Sequence, residues 1–162
     1  MYYRRLGNTG LLVSEIGFGT IPVLQGDIPV LPAYFDLDEQ QALAVMDYAL
    51  HLGCNLYDTA IVPEYGDAEI KLGRFAACAG RDKIITSDKA RFFGGSEMYR
   101  AVETSCENLG THPDIYFAHQ VEAAHEDEVF GRGGALDALA ELKAEGKIRF
   151  AGIATHYYDI LL

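Results

Sequence analysis

Short apolar runs alternate along this chain with longer segments in which apolar residues recur at helical spacing. This alternation predicts parallel β-strands joined by crossover helices, the arrangement of an α/β domain. The predicted core strands are Glu15–Gly19, Asn55–Asp58, Ile84–Asp88, Ile115–Ala118 and Phe150–Ala154. The predicted helices follow the first four strands and cover residues 39–52, Ala68–Ala77, Ser96–Leu109 and Gly134–Glu145.

The first helix shows which signals set these boundaries. Asp38 is a typical N-cap residue, and Leu43, Met46 and Leu50 then recur at i, i+3 and i+7. Gly53 follows at the position where a helix commonly ends. Before Asp38, the sequence predicts a proline-containing loop that reaches back to the first strand.

Three further segments complete the outline. Residues Tyr2–Ser14 are predicted to form a β-hairpin that turns at Gly7–Gly10, because Gly and Asn tolerate positive φ. Such a hairpin suits the bottom of a barrel. The acidic run Glu122–Arg132 is predicted as a solvated loop, and Tyr157–Leu162 resembles the start of a fifth helix. The chain is thus expected to be one domain, residues 1–162, with about five βα units of the parallel barrel type.

Composition narrows the class of protein. The chain has 162 residues, of which 49% are hydrophobic and 23% are charged, as in an ordinary globular domain. The formal net charge of -11 removes the main driving force for binding nucleic acid or an anionic membrane, so neither partner is expected. No apolar run approaches membrane-spanning length. The three cysteines lack disulfide-framework and metal-site spacing, which predicts a cytoplasmic location and no bound metal.

Four polar residues stand where a predicted strand ends or in the loop just beyond it: Asp58, Tyr65, Lys89 and His119. In a parallel α/β barrel the carboxyl ends of successive strands converge on one face, where such folds carry out their chemistry. Alone, each residue is more often a packing or surface group. Their shared position at the strand ends favours a single site.

These side chains suit a site that donates a proton to a polarised oxygen. A phenol has a reference pKa of about 10, and a nearby ammonium brings it closer to the working range by stabilising phenolate. We expect Lys89 to supply that charge to Tyr65 and Asp58 to hold Lys89 in place. His119 is expected to hydrogen-bond the phenol or a substrate oxygen.

Several segments, in order and covering nearly the whole chain, resemble the aldo-keto reductase family. They are YRRLGNTGLLVSEIGFGT near the start, NLYDTA at Asn55–Ala60, EYGDAEIKLGRF at Glu64–Phe75, RDKIITSDK at Arg81–Lys89, DIYFAHQ at Asp114–Gln120 and LAELKAEGKIRFAGIATH at Leu139–His156.

This resemblance implies a (β/α)8 barrel, of the TIM-barrel type, that uses NADPH, or less often NADH, to reduce aldehydes and ketones to alcohols. In the family, the residue that matches Tyr65 is the general acid. Those that match Lys89 and Asp58 tune that acid, and the one that matches His119 orients the substrate carbonyl. The hydride comes from the nicotinamide.

The resemblance also indicates where a cofactor would bind. Gly19 and Thr20, after the first strand, are expected to approach it, with Asp58 near its ribose. Many family members place a Ser-Asn pair against the nicotinamide carboxamide, and the matching positions here are Ala154 and Thr155. Because Ala154 has no polar side chain, Thr155, or the histidine that follows it, is the expected contact.

The loop before the proposed acid is longer than usual for the family. Six residues separate Asp58 from Tyr65 where the family has about four, and extra loop residues add little closure entropy, so Tyr65 is still expected to reach the site. Tyr57 is not the expected acid, because side chains alternate along a strand and Tyr57 would face away from Asp58.

A closed barrel of this type typically needs about 250 residues and eight strands, and only five strands are predicted here. The family binds the adenosine end of its cofactor mainly through loops after the last two strands. Three interpretations stay open. The chain is a fragment of a longer product, or it associates with itself or a second polypeptide to complete a barrel. Alternatively, it is a shortened, catalytically silent interaction module.

Overall fold

The chain begins with an antiparallel hairpin, as predicted. The computed structural model describes residues 1–25 and 36–162. Within them, β1 (Tyr3–Arg5) pairs with β2 (Leu12–Ser14).

A parallel sheet of five strands follows. They are β3 (Phe18–Gly19), β4 (Leu56–Asp58), β5 (Ile85–Ala90), β6 (Ile115–His119) and β7 (Phe150–Ala154). They lie side by side in chain order, which confirms the predicted parallel α/β arrangement. β3 is shorter than the predicted Glu15–Gly19, because the Glu15 amide bonds to Tyr2 O at 3.0 Å and Ile16 O accepts the Ser14 hydroxyl at 2.7 Å. These residues are tied to the hairpin rather than to the sheet.

Helices connect the strands. They are α1 (Glu39–His51), α2 (Ala68–Ala79), α3 (Gly95–Leu109), α4 (Glu126–Phe130) and α5 (Ala135–Ala144). The predicted cap of α1 is confirmed, because the Asp38 carboxylate accepts the Gln41 amide at 2.8 Å and the Gln41 side chain accepts the Asp38 amide at 3.1 Å. Residues 26–35, the middle of the predicted proline-containing loop, lie outside the described residues.

The start of α3 differs from the prediction. The helix begins at Gly95 with Gly94 as its N-cap, so Ser96 is not the cap. A Cβ on Gly95 would lie 2.4 Å from Gly133 O, and Gly94 bridges to Gly134. Close backbone contact between two distant glycine segments therefore fixes this helix start.

One loop prediction needs correction. The run Glu122–Arg132 contains α4, whose Val129 is fully buried, so it is not simply a solvated loop. This helix is too short for its apolar residues to recur at helical spacing, so the sequence shows no helical period there. At the end of the chain, Tyr158–Leu161 forms a 3₁₀ turn where a fifth helix was predicted to start.

The hairpin covers the amino end of the sheet. Leu11 and Val13 pack with Ile85 and Ile115, the first residues of β5 and β6. The hairpin does not cover the opposite, carboxyl end of the sheet, where the polar side chains lie. On β4, Tyr57 is fully buried toward the helices and donates to Met46 O at 2.8 Å, so it does face away from its neighbour Asp58.

The described part of the chain contains no helix long and apolar enough to cross a membrane. It also contains no group of three or more His, Cys, Asp or Glu residues able to hold a metal ion. The three cysteines are free thiols: Cys54 is buried, Cys106 is partly buried and Cys78 is exposed.

Candidate active site

The parallel register brings the predicted site residues to the carboxyl end of the sheet. Asp58 ends β4 beside Ser87 of β5, and His119 ends β6 beside Ala154 of β7. Lys89 lies two residues beyond Ser87 on the same face of β5.

An ion pair forms the centre of this site. Lys89 Nζ lies 2.5 Å from Asp58 Oδ2 and also donates to Thr59 O at 2.9 Å. The Ser87 hydroxyl donates to the other carboxylate oxygen, Asp58 Oδ1, at 2.8 Å. Lys89 is only 8% exposed, so its ammonium is held in one position by two oxygen acceptors in a largely buried place.

Tyr65 lies against this ammonium. It ends a 3₁₀ turn, Pro63–Tyr65, in the loop between β4 and α2. Lys89 Nζ is 5.2 Å from the centroid of the Tyr65 ring, within the range of a cation–π contact. Despite its six-residue separation from Asp58, Tyr65 therefore reaches the Asp58–Lys89 pair.

His119 is kept neutral. Burial, together with the positive charges of Lys89 and Arg91, lowers the pKa of His119 to about 4. Its Nδ1 atom is buried and has no hydrogen-bond partner within the described ranges. A neutral imidazole offers one donor and one acceptor, so it can orient a polar ligand without adding a charge.

The predicted cofactor contacts have different surroundings. Gly19 pairs with Asp58 and is exposed, while the Thr20 amide donates to Asp58 O at 2.9 Å. The Thr20 hydroxyl is fully buried and has no hydrogen-bond partner in the described part of the chain. The Thr155 hydroxyl instead donates to Val121 O at 2.6 Å. Its only proton is thereby engaged.

Sequence reasoning missed two groups of polar residues at this end of the sheet. Ser87 was detectable, because it precedes Lys89 by two strand residues and so shares its face. Arg91 Nη2 contacts both Glu64 carboxylate oxygens, at 2.6 and 2.5 Å, and Arg91 Nη1 donates to Gln120 Oε1 at 3.2 Å. Those three residues lie in three separate loops, and no spacing along the chain signals their contact.

The parallel sheet is of the α/β-barrel type, and a cluster of polar and aromatic side chains lies at its strand ends. The aldo/keto reductase family matches residues 15–161. The chain belongs to the aldo-keto reductase family, as its motifs predicted.

Individual relatives agree with this assignment. L-galactose dehydrogenase of Arabidopsis thaliana is 33% identical over 97% of this chain and 49% of its own length. The holo form of aldo-keto reductase AKR11C1 from Bacillus halodurans has a TM-score of 0.81 and 29% identity, over 99% of this chain and 52% of that one. An aldo-keto reductase from Klebsiella pneumoniae in complex with NADPH has a TM-score of 0.73 and 26% identity, over 93% of this chain and 48% of that one. The chain spans about half the length of these relatives and supplies five parallel strands of such a barrel.

Proposed function

We propose that this chain carries the proton-donating side of an oxidoreductase site that reduces a small aldehyde or ketone to an alcohol with NAD(P)H. The observation that carries this proposal is the position of Lys89, whose ammonium pairs with Asp58 and lies against the Tyr65 ring. Membership of the aldo-keto reductase family supports the same reaction class.

Tyr65 is the proposed general acid. As the carbonyl carbon accepts hydride, the carbonyl oxygen gains negative charge and takes the phenolic proton, which leaves a phenolate. The ammonium of Lys89 stabilises that phenolate, more strongly than it would in bulk water because Lys89 is buried. Asp58 keeps the ammonium in position and balances its charge before the proton moves.

His119 is proposed to orient the substrate. Because the imidazole is neutral, it can donate a hydrogen bond to the carbonyl oxygen without competing with Tyr65 as the source of the proton. The unpartnered Nδ1 atom supports a role toward a ligand.

A nicotinamide cofactor would be held at Gly19, Thr20, Asp58 and Thr155. When bound, it supplies the hydride. The exposed backbone at Gly19 suits such a ligand. Thr155 has an engaged proton and would contribute only as an acceptor. NADPH is the proposed form, with NADH as the alternative, since the Klebsiella pneumoniae relative is in complex with NADPH.

The proposal includes two expectations about the molecule's surroundings. In the part of the chain that the structure describes, β3 and β7 form the edges of the sheet, and association of the chain with itself or with a partner chain would cover them. A cytoplasmic location, predicted from the cysteine pattern, suits the three free thiols.

Replacement of Tyr65 by phenylalanine tests the acid. Tyr65→Phe removes the proton donor but keeps the ring against Lys89, so carbonyl reduction should fall by about 100-fold or more. NADPH oxidation with a set of small aldehydes measures this, while nicotinamide fluorescence measures cofactor binding, which should stay the same.

Tyr48→Phe is the matched control, because Tyr48 is 64% exposed on α1, away from the strand ends. This variant should reduce aldehydes at the wild-type rate. Equal turnover of Tyr65→Phe and wild type would rule out Tyr65 as the acid, and absence of cofactor binding to the wild-type chain would contradict the proposed reaction.

A further inference from the structure

A second polar network lies directly beside the proposed site. Each member neighbours a proposed site residue: Glu64 precedes Tyr65, Arg91 follows Lys89 by two residues, and Gln120 follows His119. The Arg91 guanidinium joins the other two, through the contacts at 2.5 to 3.2 Å described above. It thus connects the loops that follow β4, β5 and β6.

The loop that carries Tyr65 is tied to the end of β5 by this side-chain connection. At its start, the Ile61 amide donates to Lys89 O at 3.0 Å, which ties the backbone to β5. At its end, the Tyr65 amide bonds to Val62 O and the Gly66 amide bonds to Pro63 O, and both bonds stay within the loop. Besides the contact of Lys89 with the Tyr65 ring, the Glu64–Arg91 pair ties this end of the loop to the end of β5. The pKa of Glu64 is lowered by its hydrogen bond to Arg91, which keeps the pair ionised.

Gln120 gives an independent sign of constraint. Its φ is 56°, and no other non-glycine residue in the described ranges has positive φ. A residue with a Cβ rarely adopts this conformation, and such outliers persist where surrounding contacts fix them, often at functional sites. The Arg91 bond to the Gln120 side chain is such a contact. It holds the residue next to His119 in a disfavoured conformation.

We propose that Arg91 is a positioning residue, which fixes Tyr65 and His119 relative to each other by tying the loops after β4 and β6 to the end of β5. The proposal rests on the proposed function in one respect, namely that Tyr65 and His119 act on the same carbonyl oxygen. Arg91 is not a free anion site, because Glu64 neutralises its charge through a two-oxygen contact. Its role is geometric and electrostatic.

The electrostatic part gives a distinctive readout. Arg91 lowers the pKa of His119, whereas Glu64 raises it. Arg91→Met should therefore move the His119 titration to higher pH, and Glu64→Gln should move it to lower pH. Both variants should release the loop. A purely structural role would not shift the titration in opposite directions, and histidine NMR on the chain alone can follow it.

The experiment compares Arg91→Met, Arg91→Lys and Glu64→Gln with wild type. Amide hydrogen exchange should show lost protection at residues 61–66 in Arg91→Met and Glu64→Gln. In the aldehyde assay, Arg91→Met should lower kcat by about 10- to 100-fold with little change in KM, because small displacements of reacting groups are costly. Arg91→Lys keeps the charge but not the forked contact, so it should recover part of the loss.

Arg74→Met is the matched control, because Arg74 forms an exposed ion pair with Glu39 between α1 and α2, away from the strand ends. This variant should leave amide hydrogen exchange at residues 61–66, the His119 titration and the aldehyde turnover unchanged. Wild-type protection at residues 61–66 in Arg91→Met, or an unmoved His119 titration, would overturn the positioning role. If the wild-type chain reduces no aldehyde, the proposed function fails, yet exchange and titration still decide whether Arg91 holds these loops.

Discussion

At the scale of single residues, the charge state of His119 follows from its burial and from the charges of two nearby cations. Burial disfavours the imidazolium, and the nearby Lys89 and Arg91 disfavour it further. Asp58 and Glu64 act in the opposite direction but do not prevail. The same Lys89 that lies against the Tyr65 ring therefore favours an uncharged histidine.

This charge state makes stability depend on pH. In the unfolded chain the imidazole takes up its proton near the ordinary value of 6.5, whereas in the folded chain it does so near 4. Between these values the unfolded state binds more protons, so the free energy of unfolding rises with pH through this window and falls on acidification. His119→Asn should flatten this slope. Denaturant unfolding between pH 4 and pH 7 measures it.

His51→Asn, which removes an exposed imidazole from the end of α1, is the control for losing one histidine. A His119→Asn variant whose unfolding free energy follows the wild-type pH dependence would contradict a neutral, buried His119.

At the scale of elements, β5 is joined to the helices by a buried pair of acids. Asp88 on the helix-facing side of β5 and Glu69 on α2 are 0% and 3% exposed. Burial and the neighbouring Glu69 raise the pKa of Asp88 well above its ordinary value. Asp88 Oδ2 and Glu69 Oε1 have no hydrogen-bond partner in the described part of the chain. We expect a proton shared between the two carboxyl groups to satisfy both. Asn108 of α3 donates to Glu69 Oε2 at 2.7 Å, so the pair links three elements.

Asp88→Asn tests this shared proton. The unfolded Asp88 loses its proton near 3.8, and the folded one retains it to higher pH. The folded state therefore binds more protons above 3.8, and the wild-type free energy of unfolding falls as pH rises through that window. An asparagine can still accept a hydrogen bond from the Lys89 amide and donate one to Glu69. The free energy of unfolding of this variant should therefore not fall as pH rises, and the variant should become more stable than wild type toward alkaline pH.

Denaturant unfolding at a series of pH values measures the difference. Asp82→Asn is the control, since Asp82 is exposed in the turn before β5. Parallel pH curves for Asp88→Asn and wild type would show that no proton is shared.

At the scale of the whole molecule, the parts that periodicity and local chemistry specify were predictable. Strand order, the cap at Asp38 and the convergence of polar residues at the strand ends follow from short-range patterns. The start of α3 could not be predicted, because it depends on contact between Gly94 and Gly134, which are forty residues apart. The Arg91 network was missed for the same reason. It requires the conformations of three loops, including a positive φ at Gln120 that no local sequence signal announces.

The remaining question at this scale is how the sheet edges are covered. In the part of the chain that the structure describes, β7 bonds to β6 on one side only, and Ala151 on β7 is exposed. Unpaired strand edges favour association, whereas a net charge of -11 opposes it, so self-association should strengthen as salt screens the charge. Light scattering across salt concentrations measures the mass. Ala151→Lys should weaken association, because a lysine blocks an edge, whereas Ala140→Lys, on an exposed position of α5, should not. A monomer at every salt concentration would contradict self-association through this edge.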